Sequence, residues 1–202
     1  LPFALLNYQV TPLPQTFILN GADDKKTLDP MLLENRYNPF IGLCWQGNPS
    51  NRNDVHRSLT LEELIPHLPS EATFFNLQIS LTEQQEKRLA AHQIVNFSEG
   101  LSTLTGTAAI CARLDGVIAV DTSLCHLAGS LGIPTFLLLS LASDWRWGKS
   151  TDRTVWYNNT KLFKQTSRGE WNAPLKSLKE ALERDIISPF YAGADAGRFL
   201  GK

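Results

Sequence analysis

The sequence predicts an α/β protein with a Rossmann-like parallel sheet of about six strands and helices on both faces. Two patterns and one composition predict it. Short apolar or β-branched runs alternate with helical patterns, and successive runs start about 20 to 40 residues apart, room enough for a crossover helix each time. The 202 residues are 43% hydrophobic and 19% charged, the balance of an ordinary soluble globular chain with one full core.

The elements follow in order. Phe40-Ile41-Gly42-Leu43-Cys44-Trp45 predicts a strand over 40–45, and a helix follows over 61–68. Thr60 with Glu63 three positions on opens that helix, because a hydroxyl and a carboxylate at this spacing satisfy orphan backbone donors reciprocally. A strand over 73–77, a helix over 83–91, a strand over 94–97 and a helix over 104–114 come next. Gly116-Val117-Ile118-Ala119-Val120 is the fourth strand, and a helix over 122–131 ends at Gly132-Ile133-Pro134. The glycine is free to turn left-handed there, and the proline cannot continue a helix. Strands over 135–139 and 161–164 and a helix over 171–184 complete the pattern. Residues 1–38, with Pro12 and Pro14 in an extended stretch, read as a connector or remnant of a preceding domain. Residues 39–187 form the domain, and 188–202, with three glycines, read as a loosely packed tail. The first residue is Leu1 and the sole methionine is Met31, so a preceding domain is expected in the full-length chain.

Composition also removes partners. Nineteen Lys and Arg against 20 Asp and Glu give a net charge of −1, which leaves no basic face for nucleic acid. No apolar run approaches the ~20 residues of a transmembrane segment. Cys44, Cys111 and Cys125 form no CxxC spacing, so they read as reduced core thiols of a cytoplasmic protein. No cluster has metal-ligand spacing, so no metal is expected. Neither dinucleotide-binding nor P-loop glycine motifs are present.

Ligands of open parallel sheets bind beyond the carboxyl ends of strands, and two such junctions are chemically loaded. After the fourth strand comes Asp121-Thr122-Ser123-Leu124-Cys125-His126. Thr122 or Ser123 suits a cap, and the free amides with the helix dipole form an anion seat. His126, four residues after Thr122, shares its helix face; it is either an added donor to that anion or a satisfied core histidine, with Asp121 as a cap. After the first strand comes the long polar stretch 46–58, which includes Gly47, Asn48, Arg52 and Arg57 and is either a ligand clamp or a solvated loop. Asp144-Trp145-Arg146-Trp147, followed by Trp156-Tyr157, offers rings for stacking and charged groups for hydroxyls or diphosphate, or merely covers the sheet edge.

Four ordered motifs resemble the C-terminal half of glycosyltransferase family 9, the heptosyltransferase family, in the version that ends bacterial tetratricopeptide-repeat proteins. They are Ile41–Pro49; Asn53-Asp54 with Arg57-Ser58; Val120–Ser123 with His126-Leu127-Ala128-Gly129 and Leu131–Pro134; and Asp144–Trp147 with Trp156-Tyr157 and Leu162–Gln165. The resemblance implies the C-terminal half of a GT-B fold that binds a nucleotide-diphosphate sugar as donor substrate, with no resident cofactor or metal and with inversion at the sugar. Thr122, Ser123 and His126 match the diphosphate site, with Gly47, Asn48, Asp144 and Arg146 as further donor-binding residues. Asp121 matches the acidic positioner and Arg57 the cation that offsets charge on the leaving diphosphate. The acceptor, whether glycan, lipid or protein, and the catalytic base would come with a preceding domain. The rival reading is a non-catalytic transferase half acting as an interaction module.

Overall fold

The structure, a computed structural model, describes residues 36–51, 54–96, 101–148 and 152–198, with side chains as far as Gly193. Of the residues expected to form the connector, 1–38, all but 36–38 lie outside that set, as do Arg52, Asn53 and Phe97.

Six parallel strands form one sheet: β1 (Phe40–Cys44), β2 (Thr73–Asn76), β3 (Val95–Asn96), β4 (Gly116–Val120), β5 (Thr135–Leu139) and β6 (Thr160–Lys164). Their spatial order is β3-β2-β1-β4-β5-β6, with β1 paired to both β2 and β4. The chain winds outward in one direction from β1 to β3, crosses back, and winds the other way from β4 to β6. The carboxyl ends of β1 and β4 therefore flank a topological switch point, the place where open α/β sheets bind their ligands.

Both sheet faces are covered, which explains why the strand sequences are continuously apolar rather than alternating. Ile41, Leu43, Ile118, Val120, Phe136 and Leu138 point to one face. There they pack on α2 (Leu61–Leu64), α3 (Glu83–Ala91) and α6 (Asn172–Leu182) through Leu61, Leu64, Leu89, Leu175, Leu178 and Leu182. Cys44, Val117, Ala119, Leu137 and Leu139 point to the other face, against α4 (Leu104–Cys111) and α5 (Ser123–Ser130). Helix starts are fixed locally: Thr60 with Glu63 and Thr82 with Gln85 form complete capping boxes, and the Thr103 hydroxyl accepts from the Gly106 amide. Gly132 adopts the expected left-handed conformation, φ 77°.

Three expectations need correction. The helix expected over 61–68 is α-helical only to Leu64, because Pro66 lacks the amide needed to extend the ladder, and it continues as a 3₁₀ turn, Ile65–His67. The stretch 46–58 is not all loop, since α1 (Asp54–Arg57) forms a helical turn inside it. Within the tail expected over 188–202, residues 188–198 are helical: a π-helical stretch, Glu183–Ile187, carries α6 into α7 (Ser188–Arg198), and 199–202 lie outside the described residues. Helix α7 is tied to the start of the domain. The Tyr191 hydroxyl donates to Asn38 Oδ1 at 2.7 Å, and the Arg36 guanidinium lies over the rings of Phe40 and Phe190 while pairing with Asp115.

Candidate functional site

The switch point is bordered by the two loaded junctions. On the β1 side, Asp54 is the hub. Its carboxylate is almost fully buried; Oδ1 accepts from Arg57 Nε at 3.0 Å and Oδ2 from the Ser58 hydroxyl at 2.9 Å. Ser58 Oγ in turn accepts from the Gly47 amide at 2.9 Å. Gly47 suits this hub, because a Cβ at this position would overlap Asp54 Oδ1 and Arg57 Nη2 and make those side chains shift. Asn48 is exposed and uses its Oδ1 to accept from the Ser50 amide, a local turn contact. Arg57 then spans the switch point: its Nη1 donates to the Asp121 carbonyl at 2.7 Å, joining the loop after β1 to the turn after β4.

On the β4 side the helix start is left open. Thr122 occupies the N-cap position of α5, but its hydroxyl makes no capping bond and lies 3.9 Å from Cys44 Sγ. Ser123 is exposed. The expectation that one of these side chains caps the helix is therefore corrected; the Cys125 amide donates to the Thr122 carbonyl at 3.2 Å, while among the described residues the Ser123 and Leu124 amides keep their unsatisfied, partly positive character. Half-buried His126 lies one turn in. Its ring stacks on Trp147, centroids 5.1 Å apart and planes 18° apart, and its Nδ1 is 3.0 Å from the Tyr157 hydroxyl. Its Nε2 has no partner among the described residues. Burial lowers the His126 pKa first; Asp121 and Asp144 push it up and Arg146 pushes it down, which places all four groups in one electrostatic neighbourhood.

The segment after β5 closes the site. Asp144 caps a 3₁₀ turn, Trp145–Trp147, accepts from the Arg146 amide at 3.0 Å and pairs with Arg146 Nε at 3.2 Å. The two expected donor-binding groups thus neutralise each other. Trp147 is buried against His126, whereas Trp145 is 72% exposed and Trp156 donates its indole N–H to the Arg146 carbonyl at 3.0 Å. One tryptophan covers the core, and the others remain at the surface.

No protein-family model matches the chain. Protein FlbA of Caulobacter vibrioides is 29% identical over 158 residues, covering 74% of this chain and 26% of FlbA. The chain spans about a quarter of the length of the curated relative it matches. Among solved structures, E. coli heptosyltransferase WaaC with ADP is similar at a TM-score of 0.49 and 18% identity, over 76% of this chain and 47% of WaaC. E. coli ADP-heptose LPS heptosyltransferase II is similar at 0.49 and 17%, over 83% of this chain and 54% of that one. A glycosyl transferase of family 9 from Veillonella parvula is similar at 0.44 and 12%, over 74% and 40%.

Folding also assembles a group that spacing did not reveal. Asp121, Cys125 and His126 each bring a ligand-type atom within 4.8 Å of the others. Burial holds the Cys125 thiol up at about 12, and it donates to the Thr122 carbonyl at 2.9 Å, so the trio presents a protonated sulfur at neutral pH. The same burial raises Cys44 to about 11. Two open concavities adjoin the β1 side. One of about 580 Å³ is lined by Asn51, Asp54, Ser58 and Trp171 among others, and one of about 520 Å³ lies between the starts of α2 and α3; Gln46 borders both. Sequence reasoning missed Asp54 as the hub and Tyr157 as the partner of His126. Both lie inside motifs named above, but Asp54 also stands four residues before the serine it bonds, whereas Tyr157 lies 31 residues from its histidine and nothing in the spacing pairs the two.

Proposed function

We propose that this chain is the nucleotide-sugar-binding half of an inverting, metal-independent glycosyltransferase, working in the cytoplasm as part of a longer protein. The observation that carries the reading is the start of α5. It lies at the switch point, its first amides are not taken by its own side chains, and His126 stands one turn in with its Nε2 unpartnered among the described residues. A diphosphate suits that arrangement, since amides and the helix dipole favour anionic oxygens and the imidazole adds a donor.

The chemistry asked of these residues is electrostatic. As the bond between sugar and diphosphate breaks, negative charge grows on the leaving group, and donors already aimed at it stabilise the transition state without reorganising. Thr122 and Ser123 supply backbone donors, and His126 supplies the imidazole. Arg57 fixes the turn through the Asp121 carbonyl and contributes its charge from there, while the Asp121 carboxylate orients the sugar hydroxyls. Gly47 and Asn48 on one side, and Asp144 and Arg146 on the other, border the donor. A preceding domain supplies the base and the acceptor, whether glycan, lipid or protein.

Calorimetric titration with ADP, UDP and GDP and their sugars, with and without a chelator, tests the reading. Saturable heat that persists in chelator supports it, and no heat with any of them at millimolar concentration overturns it. One observation favours the interaction-module alternative, namely the 72% exposure of Trp145. A stable complex lost in Trp145→Ala and indifferent to nucleotide would select it.

A further inference from the structure

We infer that Tyr157 is a positioning residue that holds His126 in the neutral tautomer with its proton on Nε2. The inference rests on the diphosphate reading for its purpose but not for its geometry. Tyr157 belongs to neither junction: it precedes β6 by three residues and reaches α5 from outside, with its ring 5.8 Å from the imidazole and tilted by 58°. Room is made for it at Gly129, where a Cβ would stand 2.7 Å from Tyr157 Cγ. Trp147 covers the imidazole by stacking while Tyr157 holds its Nδ1 edge, so the ring is fixed in both plane and rotation.

Donor strength decides the direction of the Tyr157–His126 bond. A phenolic hydroxyl donates better than a neutral imidazole N–H, and an imidazole nitrogen accepts better than a phenol oxygen. Among the described residues the Tyr157 hydroxyl has no other partner, so it donates to Nδ1 and leaves the ring proton on Nε2. In that tautomer the free edge offers a donor to an approaching anion; the opposite tautomer would offer a lone pair and repel it. The groups facing the ring are Asp121 and Cys125 on its own turn, Asp144 and Arg146 after β5, and Tyr157 itself; the two carboxylates and the guanidinium oppose one another. A hydroxyl bonded to Nδ1 stabilises the neutral ring, so its loss raises the histidine pKa; if Nδ1 were the donor, its loss would lower the pKa or leave it unchanged.

Nitrogen-15 spectra of the histidines in the chain as it stands, assigned through His126→Gln, read this without any ligand. The expected wild-type result is a proton on Nε2 and an accepting Nδ1. In Tyr157→Phe, which keeps the ring over Gly129, the His126 pKa rises; Gly129→Ala, which displaces the ring instead, produces the same rise. ADP or UDP affinity in Tyr157→Phe falls about three- to tenfold near pH 8 and less near pH 5.5, where the imidazolium offers donors at both nitrogens. A wild-type proton on Nδ1, or a His126 pKa that falls or stays fixed in both variants, overturns the assignment. Spectra as expected with no nucleotide bound by the wild type leave the tautomer assignment standing and refute the diphosphate reading instead.

Discussion

Asp54, Arg57, Ser58 and the Gly47 amide on the β1 side of the switch point are bonded to one another, whereas on the β4 side the Thr122 hydroxyl caps nothing, Ser123 is exposed and His126 Nε2 has no partner among the described residues. The first set uses most of its polar groups on itself and ties the Gly47 amide, just after β1, to the turn at Asp54–Ser58. The second leaves donors unspent at a helix start. Arg57 joins the two through the Asp121 carbonyl, so the rigid side fixes the position of the open side. A site of this kind divides labour: substitutions in the closed network should act on stability, and substitutions in the open turn should act on binding.

The largest expected effect is at the hub. Asp54→Ala removes the buried carboxylate that accepts from both Arg57 and Ser58 and should lower unfolding stability by about 3 kcal/mol in urea titrations. Gly47→Ala forces a methyl into the same hub and should cost about 1–3 kcal/mol by the same measurement. The helix starts give a sharper contrast. Thr60→Ala removes a working cap and should cost about 1 kcal/mol, while Thr122→Ala should change stability by less than about half of that, because its hydroxyl caps nothing. If the Thr122 variant lost as much as the Thr60 variant, the open reading of that turn would be wrong.

Acid supplies a smaller effect. Burial keeps the folded-state pKa of His126 below its unfolded value near 6.5, so the unfolded chain binds more protons as the pH falls through that value. The contribution is fully present above the unfolded value and is lost on the way down to the folded one. His126→Gln should flatten the loss of urea midpoint between about pH 7.5 and pH 5.5; it should not abolish it, because burial shifts His67 the same way. Smallest of all, a thiol reagent at neutral pH should leave Cys44, Cys111 and Cys125 unmodified in the folded protein, since all three are buried and their pKa values are held at about 11 to 12.

The strands were legible because a sheet buried on both faces needs unbroken apolar runs, and such runs as Gly116–Val120 and Thr135–Leu139 declare themselves. The elements sequence missed, α1 and the turn at Trp145–Trp147, are one turn long and too short for any periodicity to show. Helix α7 was missed because Gly193 and Gly197 read as breakers, a weak local preference that continuity with α6 overrides. In the site, Thr122, Ser123, His126 and Arg57 were visible as residue types at strand ends. Their roles were not, because those depend on Asp54, Trp147 and Tyr157 arriving from other segments, and on whether a hydroxyl with capping spacing actually turns back to cap.

Titration calorimetry of the wild type and His126→Ala with ADP, UDP and GDP in chelator tests the central claim most directly. The account predicts one saturable site for at least one of them, weakened about tenfold or more in the variant, with its urea midpoint near that of the wild type at pH 7.5. Equal binding by both proteins, binding by neither, or a variant that unfolds because the histidine is a core residue would contradict it.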